Sequence, residues 1–483
     1  MRRHSIQSII GILLLLSGLM MLPPALVSYL YQDQTHSAFL KSFAIQILLG
    51  GMLYLPVRQA QYDLRLRDGF LVVAVSWLTL CIGGSIPFLL LDNINISVVD
   101  AFFETVSGLT TTGATVLTQI DDLPRGIQFY RQQTQWFGGM GIIVLAVAVL
   151  PMLRVGGMQL FRAETPGPMK DSKLTPRITE TAKALWLIYL GLTVACALAY
   201  WLAGMSGFDA ISHAFSTVSI GGFSTHDSSI AWFNSPLIES IAMVFMVISG
   251  MNFALHFIAW RNATTLPYRQ DAEVKVYLTL LLFAGVVVSA GLYLTSTFGS
   301  VGESMRYGLF QAVSFLTTTG YTTAPSYLWP GTLPVILMMM ATIGGCAGST
   351  GGGMKVMRVM MLYRQSVREI HHLIHPNATI PTKMGGKTIS GKVMYAVWGF
   401  FFLYMASFAI LSLLVTTTGV DPITAFSTVG ASLANLGPAM GEAGENYASI
   451  NDAAKVILAF AMLLGRLEIF TLLVLFTPAF WRD

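Results

Sequence analysis

The sequence predicts an all-α polytopic membrane protein, with four helix–pore helix–helix repeats around a single pore and an N-terminal pair of transmembrane helices. That makes about ten spans and four re-entrant pore helices. Three observations predict it. The 483-residue chain is 54% hydrophobic and only 11% charged, less than half the ~25% charge of soluble domains, and its mean hydropathy is +0.65. Such a chain cannot cover itself with polar surface, so its solvent is largely lipid. Long apolar runs alternate with short ones, and the short ones carry an internal repeat.

The long runs fall near 9–31, 40–57, 70–91, 133–153, 184–204, 236–260, 276–296, 331–363, 393–417 and 453–480. Met1-Arg2-Arg3 followed by an apolar stretch has the look of a secretory signal, but Pro23-Pro24 leads into no small-x-small cleavage site. An uncleaved first span is therefore expected. Shorter stretches at 98–110, 208–220, 305–317 and 422–434 cannot cross ~30 Å of hydrocarbon as helices, which predicts re-entrant segments. The order long, short, long divides the chain into an N-terminal unit (1–68) and pore repeats at 69–158, 159–264, 265–380 and 381–483. Cys81, Cys196 and Cys346 are odd in number and lie inside apolar runs, as core residues rather than a disulfide framework.

Charge sets the orientation. Arg2, Arg3, Arg58, Arg65, Arg67, Arg154, Arg162, Lys170, Lys173, Arg177, Arg261, Arg269, Lys275, Arg364, Arg368, Lys383 and Lys387 fall on one set of connections. The connections holding the short segments carry Asp92, Asp100, Asp121, Asp122, Asp209, Asp227, Glu303, Asp421, Glu442 and Glu445, with few basic residues, among them Arg125, Arg131 and Arg306. By the positive-inside rule the basic set and both termini are cytoplasmic, and the four short segments dip in from outside.

Four stretches starting at Asp100, Asp209, Tyr307 and Thr424 each reach a glycine thirteen places on: Gly113, Gly222, Gly320 and Gly437. The first and third share Thr-Thr-Thr-Gly. A partly dehydrated cation needs rings of oxygens, and an extended backbone offers carbonyls for them. Glycine reaches the backbone angles this requires, and segments from four repeats around one axis make a filter like that of K⁺ channels. Pore helices would aim their partially negative C-termini at the cavity, and Asp121, Asp122 and Asp227 would concentrate cations outside. The candidate K⁺ sites are Thr111, Thr112, Gly113, Ile220, Gly221, Gly222, Thr318, Thr319, Gly320, Asn435, Leu436 and Gly437. The copies are unequal, since only the third has Gly-Tyr and the fourth reads Asn-Leu-Gly-Pro, so modest selectivity is expected.

Six of the ten residues 344–353 are glycine (Gly344, Gly345, Gly348, Gly351, Gly352, Gly353, with Ser349 and Thr350 among them). Each costs a helix about 1 kcal/mol relative to alanine. Irregular backbone at membrane depth survives only when buried in protein or lining water. The helix should therefore break below the filter and leave a loop in the conduction path. A phosphate loop is excluded, because Lys355 stands two places after the last glycine. Arg466 sits near the middle of the last apolar run, where a guanidinium is expensive and usually functional. A pair with Glu468 would need two different helix faces, so a pore-facing Arg466 that limits flux is expected.

These motifs, with Gly108–Thr115, Gln135–Gly141, Ile220–His226 and Asn435–Pro438, resemble the bacterial Trk potassium-uptake membrane subunits (TrkH/TrkG type) of the Trk/Ktr/HKT cation transporter superfamily. The likeness extends over essentially the whole chain. The resemblance implies filter glycines at Gly113, Gly222, Gly320 and Gly437, and K⁺ rather than Na⁺ because Gly113 is not serine. It also implies an intramembrane gate at 344–353 with Arg466, a homodimer with one pore per subunit, and location in the bacterial inner membrane. The implied partner is a cytosolic RCK-type (TrkA-like) nucleotide-binding subunit, which a basic cytoplasmic surface would dock. With no Gly-x-Gly-x-x-Gly fold here, nucleotide would belong to that partner.

His371, His372 and His375 read as a solvated face rather than a metal site. No covalently bound cofactor or nucleic acid is expected, and no convergent catalytic set points to an enzyme. A proton- or sodium-coupled secondary transporter of K⁺ stays open as the alternative, since broken helices serve that class too. Glu468 and Glu239 are the obvious carboxylates for it.

Overall fold

The structure, a computed structural model, describes residues 2–58, 66–91, 94–141, 178–378, 380–385 and 387–482. The basic connection with Arg154, Arg162, Lys170, Lys173 and Arg177, most of the expected span over 133–153, Arg65 and Asp92 lie outside the described residues.

Among the described residues, six helices are long and apolar enough to cross a membrane: His4–Tyr31, His36–Val57, Asp68–Leu89, Lys183–Leu202, Ala272–Leu294 and Val393–Thr417. Two bent pairs bring the number to eight: Pro236–Ser249 with Phe253–Arg261, turning through 93°, and Asp452–Arg466 with Phe470–Phe476, turning through 110°. The other two expected spans are incomplete in different ways. Helix Arg125–Trp136 continues to the edge of the described residues, and the run over 331–363 is split into Leu333–Ile343 and Val356–Ile374. The protein is a multi-pass membrane protein, and among the described residues the few in strands form one hairpin, Lys383–Met384 with Lys387–Thr388.

The four short segments are helices Val98–Leu109, Gly207–Ser219, Val301–Leu316 and Pro422–Ala434. Each starts on a polar cap. Ser97, Ser206 and Ser300 accept from the N–H of Asp100, Asp209 and Glu303 at 3.0, 3.0 and 3.2 Å, and Asp421 accepts from Ile423 and Thr424. The Ser-x-x-Asp/Glu spacing closes orphan donors at the N-terminus. The acidic residue there also suits the positive end of the helix dipole.

Polar links join the four expected repeats in a closed order. His226 Nδ1 meets Asp121 at 2.5 Å between repeats 1 and 2, and Arg306 meets Glu239 at 2.7 Å between 2 and 3. The Tyr327 hydroxyl donates to Glu445 at 3.1 Å between 3 and 4, and Lys455 meets Asp100 at 2.6 Å between 4 and 1. In lipid, helices gain little from hydrophobic association and rely on close packing and hydrogen bonds. The N-terminal pair shows the packing: a Cβ on Gly50 would stand 2.8 Å from the Gly11 carbonyl oxygen. This pair docks outside the ring on repeat 1, where Gln133 donates to Met20 O at 2.7 Å and Gly126 N–H to Asp33 at 2.7 Å.

The sequence reading differs from the structure in three places. The second helices of repeats 2 and 4 break as well as that of repeat 3. Arg466 ends its helix rather than sitting mid-span, with Glu468 and Ile469 left-handed just after it, so the face argument against a Glu468 pair does not apply. Glu468 pairs with Arg358 at 2.7 Å. The second helix of repeat 1 starts at Arg125, eight places before the apolar run, because its buried N-terminal part is polar: Gln128, Arg131, Gln132, Gln133 and Gln135.

Candidate cation pathway

Past each short helix the backbone takes the same turn. Thr111, Ile220, Thr318 and Asn435 are left-handed at φ 56°, 57°, 63° and 53°, and Gly113, Gly222, Gly320 and Gly437 have φ 82°, 81°, 83° and 92°. A β-branched residue at positive φ is a genuine outlier, and three of these four non-glycines are β-branched. Such strain, of order 1–3 kcal/mol each, persists only where the surroundings over-determine it.

The glycines close a ring. A Cβ on Gly113 would stand 2.2 Å from Gly221 O, one on Gly222 2.1 Å from Thr319 O, one on Gly320 2.1 Å from Leu436 O, and one on Gly437 2.6 Å from Thr112 O. The contacts run from repeat 1 to 2, 2 to 3, 3 to 4 and back to 1. The carbonyls preceding the four glycines therefore surround one axis. All four glycines also line the floor of a cavity of about 500 Å³, whose wall includes Asp227 and Glu445.

Buried side chains brace this ring from behind. Thr110 and Thr112 share a 2.8 Å hydroxyl contact, as do Thr317 and Thr319. The Tyr447 hydroxyl donates to Gly437 O at 2.7 Å, and Asn435 Nδ2 to Thr112 Oγ1 at 3.0 Å. Glu104 accepts from Val116 N–H and from the Thr115 hydroxyl, each at 3.0 Å, and pairs with Arg131 at 2.8 Å. Arg131 lies over the Phe223 ring at 4.3 Å and donates to Ser224 O at 3.2 Å, which couples repeats 1 and 2.

The 344–353 segment is seated against the C-terminal ends of three of the short helices. Gly352 N–H donates to the Thr318 hydroxyl at 2.7 Å and Gly353 N–H to Ala434 O at 3.0 Å. Thr350 donates to Val218 O at 3.1 Å. From the side, Cys346 N–H donates to Gly250 O at 2.8 Å, and Phe253 N–H to Gly348 O at 3.0 Å. Glu273 accepts from Ala347 and Met357 N–H at 2.8 and 2.9 Å. Lys355 donates to Gly351 O. Arg466 bridges the loop to repeat 1, donating to Thr350 O at 3.0 Å and to Gly138 and Gly139 O at 2.5 and 2.7 Å.

In the wall of the cavity over the glycines, His226 is held between carboxylates of two repeats, with Nε2 3.6 Å from Asp209, an ion-pair distance too long for a hydrogen bond. Burial by itself would lower its pKa, but Asp209 and Asp121 outweigh burial and raise it. Burial acts on Asp121 in the opposite sense, and His226 and the Asp227 N–H outweigh it to hold that carboxyl below its usual value. Asp121 is thus tied to a histidine rather than free to attract cations.

The twelve sequence-predicted filter residues all fall in the four hairpins, and 344–353 lies wholly in the break of repeat 3. Glu468 and Glu239 are both ion-paired, to Arg358 and Arg306. Sequence reasoning assigned no role to Gln135, Glu104, Arg131, Glu273 or Tyr447. A readable signal existed for the first three: polar residues in helices expected at membrane depth face protein, not lipid.

The family model for TrkH, described as a cation transport protein, matches residues 35–482. The chain is 52% identical to the Trk system potassium uptake protein TrkH of Halomonas elongata, with all of both chains covered. It is 40% identical to the Trk system potassium uptake protein TrkG of Escherichia coli, with 98% of this chain and 97% of the relative covered. The crystal structure of the potassium transporter TrkH from Vibrio parahaemolyticus superposes with a TM-score of 0.91 at 49% identity, covering all of both chains.

Proposed function

This chain belongs to the TrkH family of cation transport proteins, and on that premise we propose that it takes up K⁺ through the ring of carbonyls of Thr112, Gly221, Thr319 and Leu436. Membership makes it a transporter, not an enzyme. The closed order of glycine-to-carbonyl contacts is the single observation that carries the reading: four unlike sequences adopt one backbone around one axis, as a site of backbone oxygens for a desolvated cation requires. Thr111, Ile220, Thr318 and Asn435 set the turn, and the glycines give the approach.

The 344–353 loop is the gate in this reading. Its contacts with Thr318, Ala434 and Val218 support a place under the filter, and Arg466 adds a positive charge beside it. The chain divides into the N-terminal unit 1–68 and pore repeats 69–158, 159–264, 265–380 and 381–483. It sits in a bacterial inner membrane with both termini cytoplasmic, works as a homodimer, and takes regulation from a cytosolic RCK-type subunit that holds the nucleotide. The charge distribution supports the orientation, and the relatives' names, Trk system potassium uptake proteins, support K⁺ as the cargo.

The test is ⁸⁶Rb⁺ uptake into vesicles containing the purified full chain, competed by K⁺ or Na⁺, with and without a proton gradient. Uptake blocked by K⁺ in modest preference to Na⁺, and indifferent to the proton gradient, is expected. Uptake that requires a proton or sodium gradient would replace the pore with coupled transport, for which the three broken helices supply the structural argument.

A further inference from the structure

Repeats 1 and 3 carry a threonine immediately before the filter glycine, and its hydroxyl binds that of the threonine two places earlier at 2.8 Å. This ties the filter segment to the end of its own pore helix. Repeat 2 has Gly221 at that position. Its backbone does not ask for glycine, because Gly221 is absent from the left-handed region that holds Gly222. What excludes a side chain there is Gln135, arriving from the second helix of repeat 1. A Cβ on Gly221 would stand 2.4 Å from both Cδ and Oε1 of Gln135.

The carboxamide does more than fill the gap. Nε2 donates to Gly221 O at 2.6 Å, and Oε1 accepts from Phe223 N–H at 3.1 Å, so one planar group brackets Gly222 on both sides. Gln135 is 0% exposed, and amide hydrogen bonds buried this deeply have no water to replace them. The oxygen it holds is one of the four in the ring. One of that carbonyl's two lone-pair directions is committed to Gln135, which fixes where the other points.

We infer that Gln135 is the positioning residue of the repeat 2 filter segment, supplying from the neighbouring repeat the brace that Thr112 and Thr319 supply within their own, and thereby sets cation discrimination. The inference rests on the filter reading above.

A reciprocal substitution tests it in the full chain. Each purified variant is checked for a monodisperse profile and its melting temperature, then assayed for ⁸⁶Rb⁺ uptake into vesicles with K⁺ and Na⁺ as competitors. Gln135→Met keeps the bulk and removes both hydrogen bonds, and should lower discrimination against Na⁺ about tenfold, ~1.4 kcal/mol, while flux persists. Gly221→Thr alone should abolish flux, because the new side chain and Gln135 cannot coexist. Gln135→Ala with Gly221→Thr should restore flux and discrimination, since the new hydroxyl would face Ser219, which occupies the place of Thr110 and Thr317. Wild-type discrimination in Gln135→Met would mean that Gln135 only fills space and would overturn the inference. A double variant no better than Gly221→Thr would overturn it equally. Gly222→Ala separates the two levels of the argument. If it alters discrimination while the Gln135 variants do not, only this inference fails; if it alters nothing, the filter reading fails with it.

Discussion

Gly320→Ala tests the ring most directly. The new Cβ would sit 2.1 Å from Leu436 O, whereas carbon and carbonyl oxygen normally approach no closer than about 3.3 Å. One of the two must move by about 1.2 Å, more than twice the ~0.5 Å within which a binding constellation must be held. The left-handed backbone at φ 83° adds roughly 1–2 kcal/mol for any residue with a Cβ. Gly331 separates the two effects: it too is left-handed, at φ 66°, yet a Cβ there meets nothing within 4 Å. Gly331→Ala should therefore carry the backbone cost alone and leave discrimination intact. Gly320→Ala should reduce the preference for Rb⁺ and K⁺ over Na⁺ by about tenfold or more, ~1.4 kcal/mol, in vesicle uptake with competing ions. Gly437→Ala, 2.6 Å from Thr112 O, needs only ~0.7 Å of movement by the same contact limit and should do less. Equal discrimination in folded Gly320→Ala and Gly331→Ala would refute the carbonyl-ring reasoning.

Three further outcomes are expected. Arg466→Gln removes a charge and the bridge from Thr350 O to Gly138 and Gly139 O; basal uptake should rise severalfold, and a folded variant with reduced uptake would contradict the gate assignment. Glu104→Gln keeps the shape but leaves Arg131 buried without its counter-charge, both side chains being at most 1% exposed. The loss should be about 3–5 kcal/mol, read as a lowered melting temperature, and an unchanged melt would count against the brace. His226 has a raised pKa, so its stabilising pairs are complete below its ordinary 6.5 and are lost as pH rises through the raised value. The melting temperature should fall across that alkaline limb in the wild type and not in His226→Gln. Asp121, with its pKa lowered, contributes in the opposite direction: its share is present above 3.8 and is lost as pH falls through the lowered value.

Much of this molecule was legible in one dimension. Lipid as solvent forces every backbone polar group into a helix or a protein-lined pathway, so apolar run length alone separates spanning from re-entrant helices. The four thirteen-residue spacings and the glycine-rich 344–353 segment each mark backbone that cannot be ordinary helix. Even the polar caps Ser97, Ser206, Ser300 and Asp421 could have been read, since capping is local. The breaks at Gly250–Asn252 and after Arg466 escaped, because a short interruption in an apolar run leaves mean hydropathy untouched.

What the sequence by itself determined was the list of parts: about ten membrane segments, four hairpins of common length and one loop beneath them. Those follow from local hydropathy and local backbone preference. Only the tertiary structure decided which atoms meet: that the glycine of each repeat backs onto the carbonyl of the next, that Arg466 binds loop and repeat 1 carbonyls, and that Gln135 occupies the place a threonine holds elsewhere. These are contacts between residues as far apart as Thr112 and Asn435. Their energies depend on distances of a few ångströms, which no spacing along the chain encodes.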